Sequence, residues 1–324
     1  MDETLLRKTA DLRAIADIRL VMLEDGPGRG QRLLIGRNAN GVTFEVAVDR
    51  GFDISELSYK GVNIGWHSPA QMPFPSHDPG SEEGWGFLRN FDGFLVTCGL
   101  DHFSRPYEAD ISQYKHPHLT TRKMPLHGRI SVEKARLLSY GVDTETSEIS
   151  CEAIVRQASV FGETLELRRR ISLAVFGHEL IVEDKVTNRG FRPTDHAIMY
   201  HINFGYPFLD GALTVEGLPD PLQSELHSQP PYPSDDFGEK VDVVDARTTP
   251  HQLPVVLRNE TCGVAVSLDY SQATLPKLAV WRAYQSGIFA LGIEPRTDLR
   301  LETGGWLSPS ESRSYSLKLS LARC

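Results

Sequence analysis

Alternation of apolar and polar residues runs through most of this chain. Segments Arg32–Arg37, Thr43–Val48, Glu56–Tyr59 and Ile149–Gln157 are β-branched or alternating, and Gly, Asn and Asp bound them. Leu165–Val175 and Glu179–Thr187 follow across Phe176-Gly177-His178, which predicts a hairpin. Gly263–Leu268, Lys277–Ala283, Ile288–Ile293 and Arg313–Leu321 continue the series. Helical spacing is confined to the start of the chain, where Leu5, Leu6, Ala10 and Leu12 predict a short N-terminal helix. Many short strands with regular turns predict an all-β sandwich or barrel. Two stretches break the rhythm. Residues 67–92 are rich in Pro, Gly, Ser and aromatics, and residues 217–240 in Pro, Ser and Asp. Loops of this length in a compact domain are commonly binding loops or lids. Trp66, His67, Trp85 and Arg89 favour a binding role for the first. No internal repeat or linker divides the chain, so residues 1–324 are read as one domain.

Composition narrows the function classes. A net charge of −9 argues against nucleic acid. No signal peptide and no apolar run long enough for a membrane span is visible, which predicts a cytoplasmic protein. Cys98, Cys151, Cys262 and Cys324 lack metal-ligand spacing and read as free thiols, with Cys98 buried. His116 and His118 flank Pro117, with His102 upstream, but exposed histidines explain them better than a metal site, so no metal is expected. Arg168-Arg169-Arg170 reads as a solvated strand edge or a salt-bridged site.

The best clue to chemistry is a pair of strand-like segments. In Met199–Pro207, period two puts His201 and Asn203, the latter expected as a substrate contact, on one face and Tyr200, Ile202 and Phe204 on the other. In Ile288–Pro295, Phe289, Leu291 and Ile293 form an apolar face, opposite Ala290, Gly292 and Glu294. A histidine and a glutamate on opposite sides of one cavity make an acid/base pair. The bland alternatives are a hydrogen-bonded structural histidine and a glutamate that ends an edge strand before Pro295. In Leu126-His127-Gly128-Arg129, Gly128 permits a close backbone approach, and His127 and Arg129 suit hydroxyl recognition if extended. Arg50 and Asp53 read first as an ion pair pinning a turn, and secondly as ligand contacts. Trp281 offers a stacking face for a sugar, although core packing is the commoner fate of a Trp. Arg89 is the ligand contact expected in Phe87–Gly93. No phosphate loop, nucleophile elbow or metal triad appears.

The order L-H-G at 126–128, H-x-N-F-G at 201–205 and G-I-E-P at 292–295 resembles the aldose 1-epimerase (galactose mutarotase-like) superfamily. R-G-F-D-I at 50–54, G-W at 65–66 and 84–85, T-C-G-L at 97–100 and L-H-G-R-I at 126–130 look like a poorly characterised bacterial branch of it. The resemblance implies a mostly antiparallel β-supersandwich with a sugar site on a sheet face. It implies His201 as general acid, Glu294 as general base and His127 as a sugar contact, with Arg89 loosely matched. It departs from the family pattern at Arg129, which replaces a second glycine and points to an acidic or modified sugar. Asp235 and Asp236 are weak matches to the family's substrate-binding aspartate. The expected reaction is interconversion of aldose anomers, with a sugar as the small-molecule partner and no metal or cofactor. A homodimer stays open. The rival readings are a sugar-sensing module that keeps Trp281, His127 and Arg89, and a hydrolase or lyase, for which a second carboxylate is missing.

Overall fold

The computed structural model describes residues 7–75, 78–249, 253–298 and 305–324. The alternation resolves into two large antiparallel sheets. In spatial order the first runs Asp17–Met22, Arg32–Arg37, Val42–Ala47, Asp53–Tyr59, Leu95–Leu100, Ala197–Phe204, Ala290–Arg296, Lys277–Ala283 and Lys240–Asp245, with Val62–Asn63 hooked onto Asp53–Tyr59. The second runs Leu213–Glu216, Val255–Asn259, Val264–Tyr270, Ser312–Ala322, Glu179–Asn188, Thr164–Ala174, Glu148–Ala158 and Ala135–Asp143. The expected hairpin forms between Thr164–Ala174 and Glu179–Asn188.

Period two decides what each sheet face does. Ile149, Cys151, Ala153 and Val155 of the second sheet share one apolar core with Phe44, Ile54, Tyr200, Ile202, Leu291 and Ile293 of the first. The opposite face of the first sheet is not bare. Val96, Cys98, Ala197, Met199, Trp281, Ala283 and Ala290 pack there with Trp66, Phe87, Phe91, Phe103 and Leu126 from the connecting loops. The first sheet thus has a dry core on one side and a loop-covered aromatic cluster on the other.

A buried charge cluster crosses the sandwich. Arg169 is fully buried, with Nε and Nη2 donating to the two Asp184 oxygens at 2.8 and 2.7 Å. Its Nη1 donates to Asp53 Oδ1 at 2.9 Å, and the Tyr200 hydroxyl donates to Asp184 at 2.8 Å. Asp53 also accepts the Thr97 N–H at 3.0 Å. Asp53 is therefore a structural anchor rather than a ligand contact, and its ion-pair partner is Arg169, not Arg50. Arg50 instead donates to the Asn90 carbonyl. The three consecutive arginines lie on an interior strand rather than an edge, with Arg168 and Arg170 pairing with Glu152 and Glu148 on the outer face.

Other expectations shift at element ends. Leu5 and Leu6 of the expected helix lie outside the described residues. Arg7 and Lys8 are helical, and a single 3-10 turn follows at Leu12–Ala14, where the Arg13 N–H donates to the Asp11 carboxylate. The strand expected at Ile288–Ile293 runs Ala290–Arg296 instead, because Gly287 and Phe289 take positive φ and form the turn before it. Glu294 consequently lies within an interior strand. Residues 217–240 carry one helix, α1 (Leu222–Ser228).

Arg169→Ala should destabilise the fold by about 3–5 kcal/mol, because Asp184 and Asp53 would keep buried, unpaired charge. Urea unfolding checks this; a loss under about 1 kcal/mol would contradict it.

Candidate functional site

The strand Ala197–Phe204 pairs with Ala290–Arg296 so that Met199 faces Arg296 and Ile202 faces Ile293. That register sets His201 opposite Glu294. Both project to the loop-covered face, and His201 Nε2 lies 3.1 Å from Glu294 Oε1. The two groups are neighbours across a strand pair, not residues facing each other over a cavity. The contact lacks hydrogen-bond alignment, so the buried Oε1 has no hydrogen-bond partner. Gly292 makes the packing possible: a Cβ there would meet Glu294 Oε1 at 2.8 Å and Trp281 Cβ at 3.1 Å.

Asn203 settles which nitrogen of His201 faces Glu294. Its Nδ2 donates to the Gly93 carbonyl at 3.0 Å, which turns Oδ1 toward His201 Nδ1 at 2.6 Å. Nδ1 therefore carries a proton, and Nε2 is the unprotonated nitrogen facing Glu294. Asn203 shares the face of His201 but is 0% exposed and does not line the cavity. It positions His201 rather than touching a sugar.

A cavity of about 710 Å³ opens above the pair. Trp66, Phe91 and Trp281 wall it, and the His201 ring packs edge-on against Phe91 and Trp281 with centroids 4.8 and 5.1 Å away. The Trp66 indole N–H donates to the Ile288 carbonyl at 2.6 Å, pinning the wall to the turn before the Glu294 strand. Phe87, His127, Phe103, Glu239 and Arg296 also line it. Residues 67–92 supply much of this wall.

His127 reaches the cavity from a tight turn rather than from an extended segment. Its Nδ1 donates to the Phe103 carbonyl at 2.9 Å, leaving Nε2 as an acceptor, and its ring lies 5.7 Å from that of His201. Gly128 has φ +78°, and any Cβ there would strike the Gly99 carbonyl oxygen at 2.1 Å. The turn sends Arg129 the other way, to Asp101 at 2.8 Å and to Glu163, so Arg129 does not line the cavity. Arg89 is also off the site: it is exposed and paired with Glu82, while its neighbours Phe87 and Phe91 point inward. Asp235 and Asp236 are exposed and outside the lining; the acidic side chain from that loop in the cavity is Glu239. Arg296 was not among the expected residues. Its signal was available, since it follows Glu294 by two on a strand, but an assignment that ended the strand at Ile293 concealed it.

Burial controls the protonation of the pair. Desolvation pushes the Glu294 carboxyl up to about 8, opposed by Arg296 and reinforced by Glu239. Desolvation also holds His201 well below its ordinary value, helped by His127 and opposed by the Asn203 hydrogen bond. His127 is held down to about 4, again chiefly by burial. Glu294 does not raise the His201 pKa, because a neutral glutamic acid exerts no pull on the imidazolium. Both shifts favour a carboxylic acid beside a neutral imidazole at neutral pH.

The two-sheet architecture is the galactose mutarotase-like all-β fold. A Klebsiella pneumoniae protein provisionally described as an aldose 1-epimerase superimposes with a TM-score of 0.76 at 20% identity, over 99% of this chain and 86% of that one. The galactose 1-epimerase of Lactobacillus acidophilus gives 0.63 at 12%, over 95% and 99%, and a galactose mutarotase-like protein from Clostridium acetobutylicum gives 0.61 at 16%, over 96% and 100%. At these identities the likeness is one of fold. Residues 28–321 match the family described as a domain of unknown function, DUF4432, and the chain belongs to that family. No curated protein matches its sequence.

The Glu294 carboxyl has a definite stability signature. It ionises near 4.5 when unfolded and near 8 when folded, so the folded state binds its proton more tightly. The resulting stabilisation is complete below the unfolded value and is lost as pH rises through the folded one. Wild type should therefore lose stability relative to Glu294→Gln between about pH 5 and pH 8.5. Parallel pH–stability curves in urea would contradict this.

Proposed function

We propose that the protein is an aldose 1-epimerase-like isomerase that interconverts the α and β anomers of a free aldose by acid/base ring opening. The observation that carries the reading is the contact between His201 Nε2 and Glu294 Oε1 in the floor of an aromatic-walled cavity. Anomerisation needs one proton taken from the C1 hydroxyl and one given to the ring oxygen as the C1–O5 bond breaks. The pair holds one mobile proton and one vacant acceptor, which is what the step consumes.

With the resting protonation, Nε2 of His201 accepts the C1 hydroxyl proton and Glu294 donates its proton to O5. The bond opens to an aldehyde with a free C5 hydroxyl, leaving imidazolium beside carboxylate. That ion pair is held in direct contact, so the charges created are stabilised where they form. Rotation about C1–C2 presents the other carbonyl face. Closure then reverses both transfers: Glu294 takes the C5 hydroxyl proton and His201 returns one to the carbonyl oxygen. Glu294 as base and His201 as acid, the roles that the family resemblance implies, are thus those of the closing half. Asn203 keeps Nδ1 protonated throughout, and Trp281, Trp66 and Phe91 offer apolar faces to the sugar ring.

The test is saturation-transfer NMR of anomer exchange across a panel of aldoses. His201→Asn and Glu294→Gln should each lower the enzyme-dependent exchange by about 10²–10⁴-fold while sugar binding stays measurable. Unchanged exchange in both variants would overturn the reading, and binding with no acceleration in wild type would favour a sensing module. The wild-type kcat/KM should also fall above about pH 8, as Glu294 loses the proton it donates. A rate still rising through pH 9 would exclude a protonated Glu294 as the donor.

A further inference from the structure

If the cavity opens sugar rings as proposed, its charged lining also bears on which sugar enters. Arg296 follows Glu294 by two on one strand and faces the same cavity. Its guanidinium lies over the Phe103 ring, 5.4 Å from the centroid. Its Nε is buried without a hydrogen-bond partner. Among the described residues the guanidinium has no ion pair and no hydrogen bond.

The fold treats its other inward-facing arginines differently. Arg169 is met by Asp53 and Asp184, Arg282 by Asp242 and Glu225, Arg129 by Asp101 and Glu163, and Arg50 by the Asn90 carbonyl. Desolvated charge is costly unless it is paired. An arginine kept without a partner in a cavity wall is therefore best explained by a partner that arrives with the ligand. Arg105, exposed at the same cavity and likewise without an ion pair among the described residues, adds a second positive charge. Glu239 opposes them in the lining, and the Glu294 and Asp298 carboxyls also act on Arg296 without pairing with it.

We propose that the cavity takes an anionic aldose, its carboxylate or phosphate held by Arg296 and its anomeric centre over His201 and Glu294. Two residues on a strand are about 7 Å apart, a separation matching a pyranose that carries its anionic group at C6. The planar guanidinium fork suits either oxyanion. The acidic preference that the sequence attached to Arg129 thus moves to a different residue, since Arg129 is consumed by Asp101 and Glu163.

The experiment compares glucuronate, galacturonate and glucose 6-phosphate with glucose and galactose, reading both affinity and anomer exchange by NMR. In wild type, one anionic aldose should bind at least about tenfold more tightly than its neutral counterpart. Preference for the uronates identifies a carboxylate, and preference for glucose 6-phosphate identifies a phosphate. Arg296→Gln should cut that preference about 10–100-fold, and Arg296→Lys should restore part of it. Equal or tighter binding of the neutral sugars by wild type would overturn the proposal without any variant. So would an anionic preference that survives Arg296→Gln with the fold intact by circular dichroism. Anionic binding with no accelerated exchange would sustain the assignment to Arg296 and overturn the ring-opening reading. Accelerated exchange confined to neutral sugars would do the reverse.

Discussion

The register between Ala197–Phe204 and Ala290–Arg296 is the constraint on which the site depends. It sets His201 opposite Glu294, and the pleat sends both to the loop-covered face while Ile202 and Ile293 enter the core. A slip of one residue would exchange Glu294 for Ile293, burying a carboxyl in the sandwich and exposing an apolar side chain. The apolar pattern of the two strands therefore enforces the geometry of the polar pair. Pro295 cannot donate to the ladder, and Gly292 leaves the volume that Trp281 and the Glu294 carboxyl occupy. An interior strand tolerates these two residues because the core face beside them stays uninterrupted.

Two treatments of buried charge coexist within a few strands of each other. On the core side, Arg169 is matched by two carboxylates, one of which also accepts from the Tyr200 hydroxyl, and the cluster ties the sheets together. On the cavity side, the polar groups are left incomplete. Glu294 keeps an oxygen without a hydrogen bond, His127 presents a free Nε2, and Arg296 faces the cavity without an anion. Incomplete polar satisfaction costs stability, and it is the condition under which a ligand can gain by supplying the missing partners. The aromatic walls strengthen the effect by desolvating the site, which also disfavours charge on both His201 and Glu294.

Period two made much of this legible in the sequence. It marked the strands, split Met199–Phe204 into two faces and put Glu294 opposite Leu291 and Ile293, because a pleated strand obeys only its own alternation. The failures are where tertiary contacts choose among equivalent side chains. Arg89 and Arg129 were plausible ligands by residue type, yet nearby carboxylates claimed both. Asp53 was claimed by Arg169, which lies 116 residues away. Asn203 was assigned to the right face but not to its task, since the Gly93 carbonyl that turns its amide comes from a distant loop. Protonation was not legible for the same reason: sequence offers a carboxylate and an imidazole, but desolvation decides their charge and needs the whole fold.

The proposed ring opening requires a neutral resting His201 imidazole beside a protonated Glu294. Nitrogen-15 NMR of the His201 side chain at neutral pH tests it directly, with Glu294→Gln used for assignment. A protonated Nδ1 and an unprotonated Nε2 are expected for the protein without sugar. Two protonated ring nitrogens beside an ionised carboxylate would contradict it.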